Sequence, residues 1–484
     1  MNVKAVSRNV GYALLVSSLF MLLSVGVSLL NGGDSALYGL LISFLLTFSV
    51  GIFPFIFVRG TEPITLKDGY LIIVLSWLLS FVFGMLPYIM WGGPFTLANA
   101  WFESVSGFTT TGATVLQDIE ALPPSLLFWR AATHFIGGLG IVVFMLLIIP
   151  GASPIRLRLT NMELSSLSKS GYATRSNRTV YVFTYVYLAI CVLAFIAYSL
   201  AGMDSLDAIC HAFSVCATGG FSTRNLSIAA YGSPLIEGIT FFFMLLASLH
   251  FGLLFLAVVN RSLKPLKNPV LRFYVITLAV FSVLMAMSLR FSGQVEGFGK
   301  ALWYGAFQTV SVASTTGFAV ADNASWPLST MVLMMFMAVM CGCAGSTTGG
   351  VKADRVYVLI KSIGRQIVKI LHPSSVDEVR IGKRVLRDEE VAPHILYIAL
   401  YCLLLAISVC ISLVLGLDPT SSFAASVSSL GNVGPAMGDL GNLGNFDSLA
   451  KGVKFLFTMD MFLGRIEIYP VLAVVAMVVE HRRK

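Results

Sequence analysis

The sequence predicts an all-α integral membrane protein with ten transmembrane helices. Eight of these are expected to form four pseudo-symmetric units of helix, half-length helix, Gly-containing loop and helix around one central pore. Three observations carry that class. Apolar residues make up 57% of the 484 and charged ones only 12%, with a mean hydropathy of +0.85, which is too little charge to cover a soluble protein of this length. Apolar windows of about 20 residues, enough to cross a hydrocarbon core, recur from one end of the chain to the other. A short Ser, Thr and Gly-rich motif also returns at matched places between those windows, and an internal repeat of this kind sets the architecture.

The windows lie near 11–30, 36–58, 70–91, 125–150, 179–201, 234–259, 269–290, 327–360, 391–416 and 450–480. The first is too long for a signal peptide and no small-residue cleavage site follows it, so it is read as a retained helix. Orientation follows from Lys and Arg, which collect in short cytoplasmic loops. Residues 150–178 carry Arg156, Arg158, Lys169, Arg175 and Arg178 against Glu163 alone, 260–272 carry Arg261, Lys264, Lys267 and Arg272 with no acid, and 352–390 are the most basic of all. The alternate connections hold Glu103, Asp118, Glu120, Asp418, Asp439 and Asp447, with no Lys or Arg in 92–124 or 417–448. Those are external, and ten spans then leave both termini cytoplasmic. The seven cysteines (Cys191, Cys210, Cys216, Cys341, Cys343, Cys402, Cys410) fall in apolar segments, as small buried residues do, and imply no disulfide framework. No histidine or second cysteine pair near Cys341 and Cys343 completes a metal site.

Four external connections are long and semi-apolar: ANAWFESVSGFTTTGATV (98–115), LDAICHAFSVCATGGFST (206–223), ALWYGAFQTVSVASTTGFAV (301–320) and SFAASVSSLGNVGPAMG (422–438). Aligned on Gly112, Gly220, Gly317 and Gly434, they share a serine six residues earlier, at Ser106, Ser214, Ser311 and Ser428, with 108, 97 and 117 residues between successive glycines. A helix of about 12 residues rises about 18 Å, so each enters from the outer face and stops near the middle of the membrane. The chain must then return as a non-helical loop, which lipid does not tolerate but a protein-lined or water-filled cavity does. Four such loops around one axis line a pore.

The chemistry of that pore points to cations. Half-helices running inward aim their partly negative C-termini at its midpoint, glycine permits the dihedrals that turn carbonyls toward an axis, and rings of carbonyls replace an ion's hydration shell. None of the four loops proper carries a carboxylate, so coordination falls to backbone dipoles and threonine hydroxyls and favours a monovalent ion over calcium or magnesium. Singly, each loop reads as a Gly and Thr kink or a small-residue packing contact; four copies at matched positions favour the pore. The fourth, GNVGPAMG, departs most from the others.

Two further features lie below the loops. CGCAGSTTGG (341–350) falls about 14 residues into a window that starts near Pro327, past the midplane, and its four glycines predict a break in the helix. Arg465, in FTMDMFLGRIEIYP, lies about 15 residues into the last window, where a charge costs roughly 2.5 to 3.5 kcal/mol. It reads either as half of an ion pair with Asp460 or Glu467 or as a fixed positive charge beside the permeation path. His134 and His250 have no ligand spacing and read as packing residues. Glu103 and His211 share one register in the first two half-helices, where Gln308 and Ala425 follow, a non-identity that argues for packing or capping over ion binding. No H-E-x-x-H, G-x-S-x-G or P-loop suggests an enzyme, and no span carries the regular arginines of a voltage sensor. An alternating-access cation or small-solute symporter with broken helices is the rival reading, though such proteins favour inverted repeats and these four run in one orientation.

With the loops TTTGA, ATGGF, STTGF and GNVGP, together with the GRIE motif, the chain resembles the Trk/Ktr/HKT superfamily of potassium transporters over essentially its whole length. The resemblance implies two extra N-terminal helices (1–69) followed by pore repeats at 70–178, 179–268, 269–388 and 389–484. It implies potassium uptake across a bacterial inner membrane through a selectivity filter of Thr110, Thr111 and Gly112, of Thr218, Gly219 and Gly220, of Thr315, Thr316 and Gly317, and of Asn432, Val433 and Gly434. It makes 341–350 (Gly342, Gly345, Ser346, Thr347, Thr348, Gly349 and Gly350) an intramembrane gating loop and Arg465 a gating arginine. It implies a homodimer in membrane lipid, a cytosolic TrkA-like regulatory subunit that carries the nucleotide, and potassium in the pore as the one ion held. No cofactor bound to this chain and no nucleic acid is expected. No loop has a full T-V-G-Y-G run, so imperfect discrimination is expected, with Rb⁺ passing like K⁺ and some Na⁺ leaking.

Overall fold

The computed structural model describes residues 2–58, 64–140, 176–375, 378–382, 384–436 and 440–482. The second part of the window at 125–150 and most of the basic stretch 150–178 lie outside them. The chain is a helical, multi-pass membrane protein. Among the described residues, six helices are each long and apolar enough to cross a bilayer, and two more spans arise if each of two sharply bent helix pairs counts as one.

Helices α1 (Val3–Leu30) and α2 (Leu37–Phe57) pack as an antiparallel pair at the start of the chain. Small residues bring them together: a side chain on Gly11 would meet the carbonyl of Gly51, and one on Gly51 would press on Leu14 and Leu15, the close approach that holds helices together where lipid is as apolar as leucine. Buried serines inside α1 satisfy their hydroxyls on the helix itself, Ser17 on the Ala13 carbonyl and Ser24 on that of Phe20. Helix α3 (Leu66–Gly84) starts at a capping box in which the Thr65 hydroxyl accepts from the Asp68 amide while Asp68 accepts from the Thr65 amide. The short α4 (Leu86–Trp91) extends it.

Four short helices follow the pattern expected of the half-helices: α5 (Leu97–Phe108), α8 (Ser205–Ala217), α12 (Phe298–Ala313) and α16 (Pro419–Gly431). Three start on side-chain caps, with Thr96, Asp204 and Asp418 accepting from the amides of Asn99, Leu206 and Ser421. The third is longer than the rest, at 16 residues, because Gly297 at φ 83° starts it early without a side-chain cap. The long helices α7 (Ser176–Leu200), α11 (Pro269–Phe291) and α15 (Asp388–Val414) precede the last three of them.

Among the described residues, three of the four helices that follow the short ones are interrupted. Helix α6 (Pro124–Leu139) stops at Gly140, φ 88°. Helices α9 (Pro234–Ser248) and α10 (Phe251–Val259) meet at 99°, and α17 (Lys451–Arg465) and α18 (Tyr469–Arg482) at 107°. Between α13 (Leu328–Met340) and α14 (Ala353–Leu371) runs the non-helical stretch that the glycines of 341–350 predict. At the other two breaks stand only a lone Gly252 and the pair Gly464 and Pro470, too little to predict them from the sequence, and both are held by tertiary partners described below. On the α14 side a small antiparallel hairpin, β1 (Val379–Ile381) with β2 (Arg384–Leu386), pairs Val379 with Leu386 and buries both against Val358 and Val391.

Candidate functional site: a ring of four loops

The four loops adopt one backbone. The aligned glycines Gly112, Gly220, Gly317 and Gly434 have φ of 81°, 83°, 79° and 95°, and the residues two earlier, Thr110, Thr218, Thr315 and Asn432, are left-handed at 54°, 55°, 54° and 56°. Non-glycine residues seldom take that conformation, and here it recurs at one register in every copy. The shared serines explain how each loop is held. The carbonyls of Ser106, Ser214, Ser311 and Ser428 accept from the amides of Thr111, Gly219, Thr316 and Val433, all at 2.9 Å. The last turn of each half-helix thereby anchors the residue just before the glycine. In the first and third copies the serine hydroxyl also reaches past the glycine, to the carbonyl of Ala113 (2.6 Å) and of Phe318 (2.7 Å).

The loops converge. A side chain on Gly112 would strike the carbonyl oxygen of Gly219, one on Gly220 that of Thr316, one on Gly317 that of Val433, and one on Gly434 that of Thr111. The sequence of contacts runs from the first loop through the second, third and fourth and back to the first, so it closes on itself. All four glycines line one cavity on the side that also holds Thr114, Asn225 and Asn442. At the join between the last loop and the first, the Asn432 amide donates to the Thr111 hydroxyl (3.0 Å) and to the Met461 carbonyl (2.8 Å). The twelve filter positions named from the sequence therefore lie together, buried except for the partly exposed Gly112 and Gly220.

Residues 341–350 are buried throughout and lie against the same loops. Gly349 donates its amide to the Thr315 hydroxyl (3.3 Å), and a side chain there would meet the Gly431 carbonyl. The Thr347 hydroxyl donates to the carbonyl of Cys216 at the end of α8 (3.2 Å). The stretch also supplies what the break in α9/α10 lacks: Cys343 donates its amide to the Ser248 carbonyl and Phe251 donates to the Gly345 carbonyl, each at 3.0 Å. Gly342 and Gly350 close its two ends, against Thr348 and Cys341, and Ser346 shares a hydrogen bond with Thr348 (2.7 Å). The Asp354 carboxylate accepts from the Ala344 amide.

Arg465 reaches this stretch. Its guanidinium donates to the Thr347 carbonyl (2.5 Å) and, on the other side, to the carbonyls of Gly137 (2.5 Å) and Gly138 (3.0 Å) at the end of α6. The two acids that the sequence offers as its partners are engaged elsewhere. Glu467 is held by Lys352 (3.0 Å) and Arg355 (2.6 Å), and Asp460 accepts from the Ser408 hydroxyl. The Glu467 pairing also explains the α17/α18 break, where Glu467 and the β-branched Ile468 are both left-handed at φ 59°, a costly backbone that two cations on one carboxylate hold in place. His250 caps α10 through Gly252, and His134 packs on Phe221. Sequence reasoning missed Asn432 as a cross-link and Lys352 and Arg355 as partners, since neither long-range pairing has a local signature.

A family model for TrkH, described as a cation transport protein, matches residues 40–483. The chain is 33% identical over 476 residues to the Trk system potassium uptake protein TrkH of Halomonas elongata, covering 97% of this chain and 98% of that one. To the protein of the same name from Escherichia coli strain K12 it is 34% identical over 409 residues, 84% of each. The crystal structure of the potassium transporter TrkH from Vibrio parahaemolyticus superposes with a TM-score of 0.87 at 30% identity, covering 98% of both chains.

Proposed function

Since the chain belongs to the TrkH family of cation transport proteins, we propose that it takes up potassium across the bacterial inner membrane, through a filter made by its four Gly-containing loops. The closed cycle of glycine-to-carbonyl contacts carries this reading: four inward half-helices deliver their negative ends to one place, and the carbonyls of the residues before each glycine are the groups that can replace potassium's water. In this reading ten spans, with both termini cytoplasmic, comprise two leading helices in 1–69 and repeats at 70–178, 179–268, 269–388 and 389–484. The filter ligands are the carbonyls and hydroxyls of Thr110 to Gly112, Thr218 to Gly220, Thr315 to Gly317 and Asn432 to Gly434. Residues 341–350 obstruct the path beneath them, and Arg465, bonded to that stretch on one side and to α6 on the other, fastens it shut.

The basic face of α14, with Lys361 and Lys369 exposed, supports docking of a cytosolic TrkA-like nucleotide-binding subunit onto a homodimer, and the relatives bear names of a Trk system. The sharp breaks between α9 and α10 and between α17 and α18 favour a second reading, alternating access coupled to a second ion. Single-channel recording on purified protein separates the two. Steady currents that reverse at the potassium equilibrium potential, with a small Na⁺ component and no shift under a pH gradient, are the expected result. Complete exclusion of Na⁺ contradicts the imperfect filter, and a reversal potential that follows pH favours coupling.

A further inference from the structure

We infer that Arg130 and Glu103, a buried ion pair behind the loops, form a strut that fixes the spacing of the first filter loop from the second, and so set how well the pore tells K⁺ from Na⁺. The inference rests on the filter reading above and adds two positioning residues to it. Arg130 stands on α6 with 2% of its side chain exposed, and Glu103 on α5 with none. Arg130 Nε donates to Glu103 Oε1 at 2.5 Å. Glu103 grips the first loop, accepting from the Val115 amide (3.1 Å) and from the Thr114 hydroxyl (3.0 and 3.1 Å). Arg130 grips the second: its Nη1 donates to the Ser222 carbonyl (3.1 Å) and its guanidinium carbon lies 3.7 Å from the centre of the Phe221 ring.

One turn further along α6, His134 stacks on the same ring at 4.1 Å and 15°, meets the Ser214 hydroxyl at 3.2 Å, and blocks the space beside Gly219. The residues immediately around Gly220 are thus held from α6, an element of the preceding unit. The pair therefore joins positions two and three beyond Gly112 to positions one and two beyond Gly220. An unpaired charge in this setting is expensive and a paired one is rigid, so the strut resists the change in loop separation that a smaller ion requires. At the register of Glu103 the other units carry His211, Gln308 and Ala425 instead; among the described residues His211 hydrogen-bonds within its own unit, to the Asp207 carbonyl and the Ser222 hydroxyl.

The test measures the K⁺ to Na⁺ permeability ratio from reversal potentials of the reconstituted full chain, alongside single-channel conductance. Phe221→Leu leaves the ion pair intact but removes the surface it presses on. The double variant Glu103→Gln/Arg130→Gln keeps shape and removes both charges, and Arg130→Lys keeps charge but loses the planar fork. Conducting channels with the permeability ratio lowered about tenfold in Phe221→Leu and in the double variant, and less in Arg130→Lys, are expected from loosening the support of a binding shell. An unchanged ratio in monodisperse Phe221→Leu overturns the strut even if the charge variants do not fold. Wild-type protein with no preference for K⁺ overturns the filter reading itself.

Discussion

Gly112, Gly220, Gly317 and Gly434 sit at positive φ with their α-carbons against a carbonyl of the neighbouring loop. A methyl group there must adopt a backbone that L-residues avoid, at about 1 to 3 kcal/mol, and must also displace the oxygen proposed to bind the ion. Gly220→Ala should therefore reduce K⁺ flux into liposomes by at least about tenfold, the effect of about 1.4 kcal/mol on ion binding. Gly238→Ala, on α9 where nothing lies within 4 Å, should leave flux unchanged; equal flux in the two variants contradicts a carbonyl filter. The sequence singles out these glycines because they repeat, and the shared serines for the same reason. It does not reveal that Thr110, Thr218 and Thr315 are left-handed, since a β-branched residue has no local preference for that region. The serine carbonyl bonds and the contact with the next loop impose it, and both are tertiary.

Among elements, the break at 341–350 was legible because four glycines interrupt an apolar window, whereas the break at Leu249 and His250 was not, because the lone Gly252 beside it is ordinary in a membrane helix. The amides and carbonyls freed at Ser248 and Phe251 find partners in Cys343 and Gly345, so one interrupted helix satisfies another and a local reading sees only the first. Under the proposed function, this interlock makes the stretch a removable block. Replacing Gly345 to Gly349 by a shorter linker should raise basal K⁺ flux about tenfold, equivalent to a closed-state bias of about 1.4 kcal/mol. Arg465→Ala should act in the same direction, since its guanidinium ties Thr347 to Gly137 and Gly138. Correctly folded variants with resting flux equal to the wild type would falsify the gate.

For the molecule as a whole, the apolar windows made the helical, multi-pass membrane class readable, while the order in which the loops touch depends on packing across the whole chain. The ring is complete only when every unit is in place, so an ion bound in it stabilises all four together. Thermal unfolding in detergent should shift upward as K⁺ replaces a large organic cation. At about 100 times the dissociation constant the gain is about 2.7 kcal/mol, with a smaller shift for Na⁺ and none for a cation too large to enter. Identical melting in K⁺ and the organic cation would argue against binding at the ring. The join from Asn432 to Thr111 spans 321 residues of sequence, and its later partner belongs to the last quarter of the chain to be translated. A chain cut short before Asn432 therefore leaves the ring an open arc, whatever the order in which its other parts are made.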